Sequence, residues 1–254
     1  MTDIRNIRLN FTGSQGHRLD ARLDLPPRAP RAYAVFAHCF TCTKESLAAY
    51  RISHRLAKHG YAVLRFDFTG LGHSQGNFAD TNFSTSVADL LCAVDFLRHH
   101  HEAPKLLLGH SLGGTAAIMA AKETPEVVAV TTVASPSKPS HVLHHFGHAL
   151  DDLEKGQPAE ITVAGKQYPI NPQFIRDVRQ YKSSDIVSDL NKPLLAFHGP
   201  EDKLVGFEHA QKLSKYASQP ISVVSLDKAD HVLSQREDAD YVADIINAWI
   251  QRYL

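Results

Sequence analysis

The sequence lacks an excess of charge of either sign. Its 254 residues contain 27 lysines and arginines and 27 aspartates and glutamates, so the formal net charge is zero with neutral histidine. Such a balance gives no long-range attraction to nucleic acid, to an anionic membrane or to a highly charged substrate. We therefore expect no nucleic-acid or membrane partner, and a small-molecule substrate that is selected by a pocket.

Long apolar runs and abundant cysteine are lacking as well. No apolar run approaches the ~20 residues of a membrane-spanning helix, and residues 1–5 lack the basic and then apolar segments of a secretory signal. The three cysteines, an odd number in a chain of this length, do not make a disulfide framework, which is typical of a reducing compartment. These absences predict a cytoplasmic protein.

Patterns for metals and cofactors are also missing. The sixteen histidines show no metal-ligand spacing such as His-Glu-x-x-His, and the glycines near Gly70 and Gly72 fail as a dinucleotide fingerprint because Gln75 replaces the third glycine. Cys39 and Cys42 form one Cys-x-x-Cys pair, with no second pair for a tetrahedral zinc site. We expect neither a metal nor a cofactor. Thiol chemistry at this pair stays an alternative, because it precedes a predicted helix.

Strand-like and helix-like segments alternate along the chain, which predicts one α/β domain with a mostly parallel eight-stranded sheet and helices on both faces. The predicted strands are 4–11, 18–25, 33–37, 62–68, 105–108, 127–134, 194–197 and 221–226, of which the first two form an antiparallel hairpin. The predicted helices are 44–59, 83–100, a segment that follows Ser111, 208–216 and 238–253.

Residues 136–190 interrupt the alternation, because they contain no convincing core strand. Apolar residues recur at helical spacing over 142–153, and residues 161–170 surround Gly165 as a small hairpin would. A structureless loop of this length is improbable in a compact domain, so we interpret the segment as a cap or lid over an active site. The alternative is a helical excursion that does not contact substrate.

A Gly-x-Ser-x-Gly pentad follows the apolar run that ends near Leu108. Its serine, Ser111, lies where a buried strand turns into a helix, and the flanking glycines allow the sharp turn of a nucleophile elbow. A second pentad around Ser74 has the same letters. It is separated from the preceding strand and followed by a polar stretch, so we interpret it as a glycine-rich loop.

A serine nucleophile needs a histidine base, and the histidine needs an acid that fixes its tautomer. Ligands bind beyond the carboxyl ends of parallel strands, and Asp202 and His231 follow the last two predicted strands. We therefore predict Ser111, Asp202 and His231 as a catalytic triad. Asp202 is preferred over its neighbour Glu201, and Asp230 is interpreted as a turn residue.

Three further histidines, His38, His110 and His198, also follow or end predicted strands. We interpret them as hydrogen-bonded structural residues, because buried polar groups usually find partners.

The tetrahedral intermediate of acyl transfer needs backbone donors. The N–H of Leu112, directly after the nucleophile, and the N–H of Phe40, on the loop after the third strand, are the expected oxyanion hole. The expected substrate pocket is Phe40, His110, Leu143, Phe146, Val205 and Val232.

With these residues placed, the chain resembles the α/β-hydrolase superfamily over nearly its whole length. Residues 38–40 look like its His-Gly-Phe oxyanion loop, and residues 67–74 look like its Asp-x-x-Gly-x-Gly-x-Ser loop. More narrowly, residues 37–44 resemble hydrolases that are associated with OsmC-type domains, although no such domain is expected here. Cys39 departs from the family pattern, which has glycine at that position.

The resemblance implies an α/β-hydrolase fold and a carboxylic-ester or thioester hydrolase that forms an acyl-serine intermediate on small to medium acyl groups. Substrate identity rests on this analogy alone. Three alternatives stay open: perhydrolase or cofactor-free haloperoxidase-type chemistry by the same triad, a non-catalytic ligand-binding protein with this fold, and an esterase whose oxyanion loop senses redox state through Cys39 and Cys42.

Overall fold

Eight strands form one sheet in the computed structural model, which describes residues 3–254. Met1 and Thr2 lie outside the described residues. They belong to residues 1–5, for which the sequence predicts no secretory signal. The strands of the main sheet are β1 (Arg5–Thr12), β2 (Arg18–Leu25), β3 (Ala32–Ala37), β4 (Tyr61–Phe66), β5 (Leu106–His110), β6 (Ala129–Val133), β9 (Leu194–His198) and β10 (Ile221–Ser225). A separate hairpin consists of β7 (Ala159–Val163) and β8 (Lys166–Ile170).

The strand order of the main sheet is β1-β2-β4-β3-β5-β6-β9-β10. The first two strands pair antiparallel, β2 pairs antiparallel with β4, and all other pairs are parallel. Every residue of β3, β4 and β5 is buried, as expected of central parallel strands that helices cover on both faces. The mostly parallel eight-stranded sheet of an α/β-hydrolase fold is therefore confirmed.

Helices cover both faces of this sheet. They are α1 (Leu47–Lys58), α2 (Phe83–His100), α3 (Leu112–Lys122), α4 (Ala149–Glu154), α5 (Gln173–Val178), α6 (Ser183–Val187), α7 (Glu208–Tyr216) and α8 (Arg236–Ile250). Apolar side chains of α2 and α3 belong to the core on one face, and those of α1 and α8 belong to the core on the other. The carboxyl ends of the parallel strands stay uncovered by these layers, and the loops that follow the strands meet there.

Helix α1 begins three residues later than the spacing predicts, and the reason is Lys44. Its backbone N–H donates to Asp67 at 2.7 Å, and its buried ammonium contacts the carboxylates of Asp20 at 2.7 Å and Asp67 at 2.6 Å. These contacts hold residues 41–46 as turns ahead of the helix. A buried ion pair is not visible in helical periodicity.

The segment between β6 and β9 contains a 3-10 helix (Pro139–His145), α4, the β7–β8 hairpin, α5 and α6. The hairpin was predicted, and its turn places Ala164 and Gly165 at φ of 51° and 78°, a left-handed pair that suits glycine. The predicted helix over 142–153 is corrected: a 3-10 turn comes first and α4 follows, while α5 and α6 were not predicted. No helix among residues 3–254 is long and apolar enough to cross a membrane.

Candidate active site

Ser111 lies in the sharp turn between β5 and α3. Its backbone is strained, with φ of 54° and ψ of −128°, and its N–H donates to Val133 O at 2.8 Å. A Cβ atom on Gly109 would lie 2.2 Å from Gly113 O, and one on Gly113 would lie 2.3 Å from His38 O. Both flanking glycines are therefore required by close backbone approach, as the nucleophile-elbow interpretation expects.

Three predicted residues form a continuous hydrogen-bonded chain at this turn. His231 Nε2 lies 3.1 Å from Ser111 Oγ, and His231 Nδ1 lies 2.8 Å from Asp202 Oδ2. The serine is 9% exposed and the aspartate 7%. The histidine can therefore accept the hydroxyl proton through Nε2 while the carboxylate holds its other nitrogen protonated.

The acid is fixed by its own loop. Asp202 Oδ1 accepts hydrogen bonds from the backbone N–H groups of Leu204 at 2.8 Å and Val205 at 3.0 Å. Burial acts to raise the pKa of Asp202, but the hydrogen bonds from His231 and from these N–H groups outweigh it and hold the pKa below its usual range. Asp202 is therefore a carboxylate at neutral pH, whereas the alternative acid, Glu201, is exposed.

Close packing brings the acid loop to the histidine loop. A Cβ atom on Gly199 would lie 2.6 Å from Ala229 O, so a side chain at this position would push the two loops apart. Asp230, the other acid near His231, accepts hydrogen bonds from the N–H and hydroxyl of Ser234. It forms a turn, as the sequence predicts, and leaves Asp202 as the partner of the histidine.

The three other histidines at strand ends each donate to a backbone carbonyl. His38 Nδ1 lies 2.8 Å from Cys39 O and His198 Nε2 lies 2.7 Å from Val205 O. Burial lowers the pKa of both rings, so they are neutral donors. Each holds the first turn of a loop that contributes to the site, in agreement with the structural role predicted for them.

His110 acts on the histidine loop in the same way. Its Nε2 lies 2.7 Å from the carbonyl of His231, and burial lowers its pKa to about 3. Because a carbonyl only accepts, the ring carries its proton on Nε2. This ring fixes the backbone of His231, and it is not itself placed to take a proton from Ser111.

The loop after β3 lies against the start of α3, since Gly113 packs on the carbonyls of residues 37 and 38. This packing places Phe40 beside Leu112. Among residues 3–254, the backbone N–H groups of Phe40 and Leu112 donate no hydrogen bond to the protein. Both are therefore free to donate to a substrate oxygen.

A disulfide between Cys39 and Cys42 closes this loop. The N–H of Cys42 also donates to Cys39 O at 3.1 Å, and the hydroxyl of Tyr168 donates to Thr41 O at 3.1 Å. The sequence predicted no disulfide framework, and this single bridge is not one, but the pairing of Cys39 with Cys42 was not predicted. An odd cysteine count does not exclude one bridge, and the third cysteine, Cys92, stays free.

A cavity of about 510 Å³ opens above Ser111. Of the six residues predicted to line a pocket, Phe40, Val205 and Val232 line it. The other three do not, and these expectations are corrected. His110, the last residue of β5, is fully buried against the histidine loop, while Leu143 and Phe146 are buried in the hydrophobic core that also contains side chains of α2 and α3.

Several residues of the 136–190 segment that the sequence does not predict also line the cavity, among them His141, His145 and Tyr168. Burial lowers the pKa of both histidines, which makes them uncharged at neutral pH. Helical spacing gave no valid signal for this pair, because Pro139–His145 is a 3-10 helix, in which residues three apart and not four apart are aligned.

Ser74 of the second pentad lies away from this chain of hydrogen bonds. Its hydroxyl donates to Asp67 O at 2.6 Å and accepts from Asp20 N–H at 2.9 Å. The hydroxyl is thus used within a loop, as predicted.

Comparison with known proteins connects this geometry to a family. The sequence profile of Hydrolase_4, described as serine aminopeptidase, S33, matches residues 28–154. The esterase domain of a Rhodothermus marinus protein has a solved structure that is 44% identical, with a TM-score of 0.80 over 98% of this chain and 99% of that one.

Two curated proteins are more distant relatives. The mitochondrial palmitoyl-protein thioesterase ABHD10 of Pongo abelii is 26% identical over 76% of this chain, which spans 64% of the length of that relative. The monoacylglycerol lipase of Mycolicibacterium smegmatis is 22% identical over 96% of this chain and 97% of that protein.

Proposed function

The chain belongs to the α/β-hydrolase superfamily, in the family described as serine aminopeptidase S33, and from this premise we propose that it hydrolyses carboxylic esters or thioesters through an acyl-serine intermediate. The observation that carries the proposal is the chain of hydrogen bonds from Ser111 through His231 to Asp202. The names of the relatives, an esterase domain, a thioesterase and a lipase, favour ester and thioester bonds.

In the first half of the proposed reaction, Ser111 Oγ attacks the acyl carbon and His231 Nε2 takes the hydroxyl proton. Asp202 stabilises the imidazolium that forms. The carbonyl oxygen becomes an oxyanion that accepts hydrogen bonds from the N–H groups of Phe40 and Leu112. When the tetrahedral intermediate collapses, the bond to the alcohol or thiol breaks and His231 returns the proton to the leaving group.

The second half repeats these steps with water. His231 takes a proton from the water molecule as its oxygen attacks the acyl carbon, and the bond to Ser111 Oγ breaks. The serine regains a proton from His231, and the carboxylic acid leaves. One ester and one water thus give one acid and one alcohol, and the enzyme is unchanged.

The cavity supports a substrate of limited size. Its volume of about 510 Å³ falls within the roughly 300–1,000 Å³ of sites for small molecules, which fits a small or medium acyl group. We propose that residues 136–190 form the cap of this site, because His141, His145 and Tyr168 of that segment line the same cavity as Ser111.

The activity can be tested with p-nitrophenyl butyrate and a butyryl thioester. We expect release of butyrate from both, and an acyl adduct on the protein when the reaction is quenched early and weighed by mass spectrometry. The same assay with hydrogen peroxide separates hydrolysis from perhydrolysis, since a perhydrolase needs peroxide for turnover. A folded protein that hydrolyses neither compound, or that forms no adduct, would contradict the proposal.

The cytoplasmic location stays a prediction. Curated relatives that carry the name ABHD10 are described as mitochondrial, and fractionation of cells that express the protein would distinguish the two compartments.

A further inference from the structure

A second, smaller cavity lies behind the wall of the main one. It measures about 30 Å³, which is room for about two water molecules. Four residues line both cavities, so they form the partition between them: Cys39, Phe40, Thr41 and Leu112. The main cavity contains Ser111 and His231 on one side of this partition, and the inner cavity lies on the other.

The ring of Phe40 is the part of the partition that faces inward. Its centroid lies 5.7 Å from that of Phe78 and 5.5 Å from that of Phe174, and both of these rings line the inner cavity alone. Phe40 is nevertheless only partly buried, and it lines the cavity above Ser111 as well. The side chain is therefore shared by the two cavities.

The inner cavity is suited to hydrocarbon. Most of its exposed lining is apolar, and Phe68, Leu71 and Ala116 contribute to it; the polar residues of the lining include Thr81, Asn82 and Ser86, and Asp89 is a carboxylate among them. That carboxylate already accepts four hydrogen bonds, from the N–H and hydroxyl groups of Ser14 and Thr69. Both of its oxygens are thus hydrogen-bonded within the protein, so this carboxylate does not indicate a site for a cationic ligand.

We propose that Phe40 determines which acyl chains this enzyme accepts, by closing an inner chamber that would otherwise hold the end of a longer chain. The inference rests on the proposed function, because the backbone N–H of Phe40 is a proposed oxyanion donor and the acyl carbon must therefore lie beside its ring. The inner chamber, once joined to the main cavity, is a site for the terminal methylenes of a linear acyl group.

The test is the chain-length profile of kcat/KM for p-nitrophenyl esters from acetate to dodecanoate. In the wild type we expect a decline once the chain fills the main cavity. In Phe40→Ala the optimum should move to longer chains, with a gain of about fourfold for each methylene newly buried. Phe40→Leu, which keeps an apolar side chain should the alanine variant fail to fold, should move the optimum in the same direction by less.

Two further variants separate an opened chamber from a loosened aromatic cluster. Phe146 lies 6.2 Å from Phe40 between ring centroids but lines neither cavity, so Phe146→Ala should leave the optimum in place. Ala116 lines the inner cavity alone, so adding Ala116→Leu to Phe40→Ala should refill the chamber and remove the gain for long chains.

The outcomes distinguish this inference from the function on which it rests. Hydrolysis by the wild type with parallel profiles for wild type and both Phe40 variants would overturn the inference and leave the proposed function intact. An equal shift in Phe146→Ala would overturn it too. Failure of the wild type to hydrolyse any ester of the series would contradict the proposed function itself.

Discussion

Residues 109–113 and residues 72–76 share the pattern Gly-His-Ser-x-Gly but adopt different structures. The first stretch joins a buried strand to a helix, and its serine has a strained backbone with the hydroxyl directed at His231. The second lies in a loop in which Gly72 and Gly76 have φ of 54° and 94°. The hydroxyl of Ser74 is already used, as donor and as acceptor, by the backbone of the protein.

The difference shows that a motif acquires chemistry from the groups around it. A Cβ atom on Gly72 would lie 2.2 Å from the carboxylate of Asp67, so this glycine allows the loop to wrap that carboxylate. Asp67 in turn holds buried Lys44, which follows the disulfide loop in the chain. The second pentad thus helps to hold Asp67 and, through it, Lys44. The first pentad supplies the nucleophile in the proposed mechanism.

The largest expected effect comes from exchanging the two serines for alanine in turn. Ser111→Ala should lower kcat for ester hydrolysis by on the order of 10⁶, because loss of the nucleophile disables the triad as a unit. Ser74→Ala should keep turnover of the wild-type order and lower the free energy of unfolding by about 1–3 kcal/mol, since it leaves buried partners unsatisfied. Comparable losses of activity in the two variants would remove the distinction between the pentads.

The next largest effect is expected at Asp202, the acid that is connected to Ser111 of the first pentad through His231. Asp202→Asn should lower kcat by on the order of 10⁴, because an amide cannot hold His231 in the required tautomer. Exposed Glu201 offers a matched control, and Glu201→Gln should retain activity. Steady-state kinetics on p-nitrophenyl butyrate would measure both, and a large loss in the glutamine variant would mean that the acid was assigned to the wrong neighbour.

The histidines of the two pentads sharpen the comparison further. His110→Phe keeps a ring but removes the donor to His231 O, so kcat should fall roughly fivefold, as one neutral hydrogen bond contributes about 1 kcal/mol. His73 is exposed, and His73→Phe should change little. An unaltered rate in the His110 variant would show that His231 is positioned without this contact.

The buried His110 should also make the stability of the folded protein depend on pH. Its pKa falls from an ordinary value of 6.5 to about 3 in the folded protein, so below pH 6.5 the unfolded chain binds a proton that the folded protein does not. Stability from this group is therefore present above pH 6.5 and is lost toward pH 3, by up to about 1.4 kcal/mol per pH unit. Denaturant unfolding at pH 7 and pH 5 should show a smaller loss for His110→Phe than for the wild type, and equal losses would exclude this linkage.

The smallest effect on activity is expected at the disulfide loop, whose preceding residues 37 and 38 pack on Gly113 of the first pentad. Reduction of Cys39 and Cys42 with dithiothreitol should lower kcat/KM several-fold, well short of the roughly 10²–10³ that loss of an oxyanion donor costs. Cys92→Ser, which lacks the free thiol, should respond as the wild type does. If a Cys39→Ser, Cys42→Ser double variant has wild-type activity, the bridge does not tune the loop.

The sequence predicted the central features because they follow from local rules. Helix α2 has the bounds that its spacing indicates, since Asn82 and Thr85 form a capping box at its start. Ser111, Asp202 and His231 meet because parallel strands bring their carboxyl ends to one edge of the sheet. Their catalytic roles stay predictions until they are measured.

Other features depended on distances that no local pattern contains. Cys39 and Cys42 are bridged because a turn brings their Cα atoms to 5.2 Å, which a cysteine count cannot reveal. Leu143 and Phe146, which are predicted to line the pocket, do not line it, because both side chains are buried in the hydrophobic core. The inner cavity behind Phe40 arises from aromatic residues that are distant in sequence, so only the assembled fold places them together.

The most direct test of the central claim is to treat the folded protein with a fluorophosphonate and map the adduct by peptide mass spectrometry. An activated serine reacts with such a probe, whereas a serine hydroxyl engaged with the backbone does not. The account predicts one adduct, on Ser111, that disappears in Ser111→Ala and persists in Ser74→Ala. An adduct on Ser74, or no adduct on the folded wild type, would contradict it.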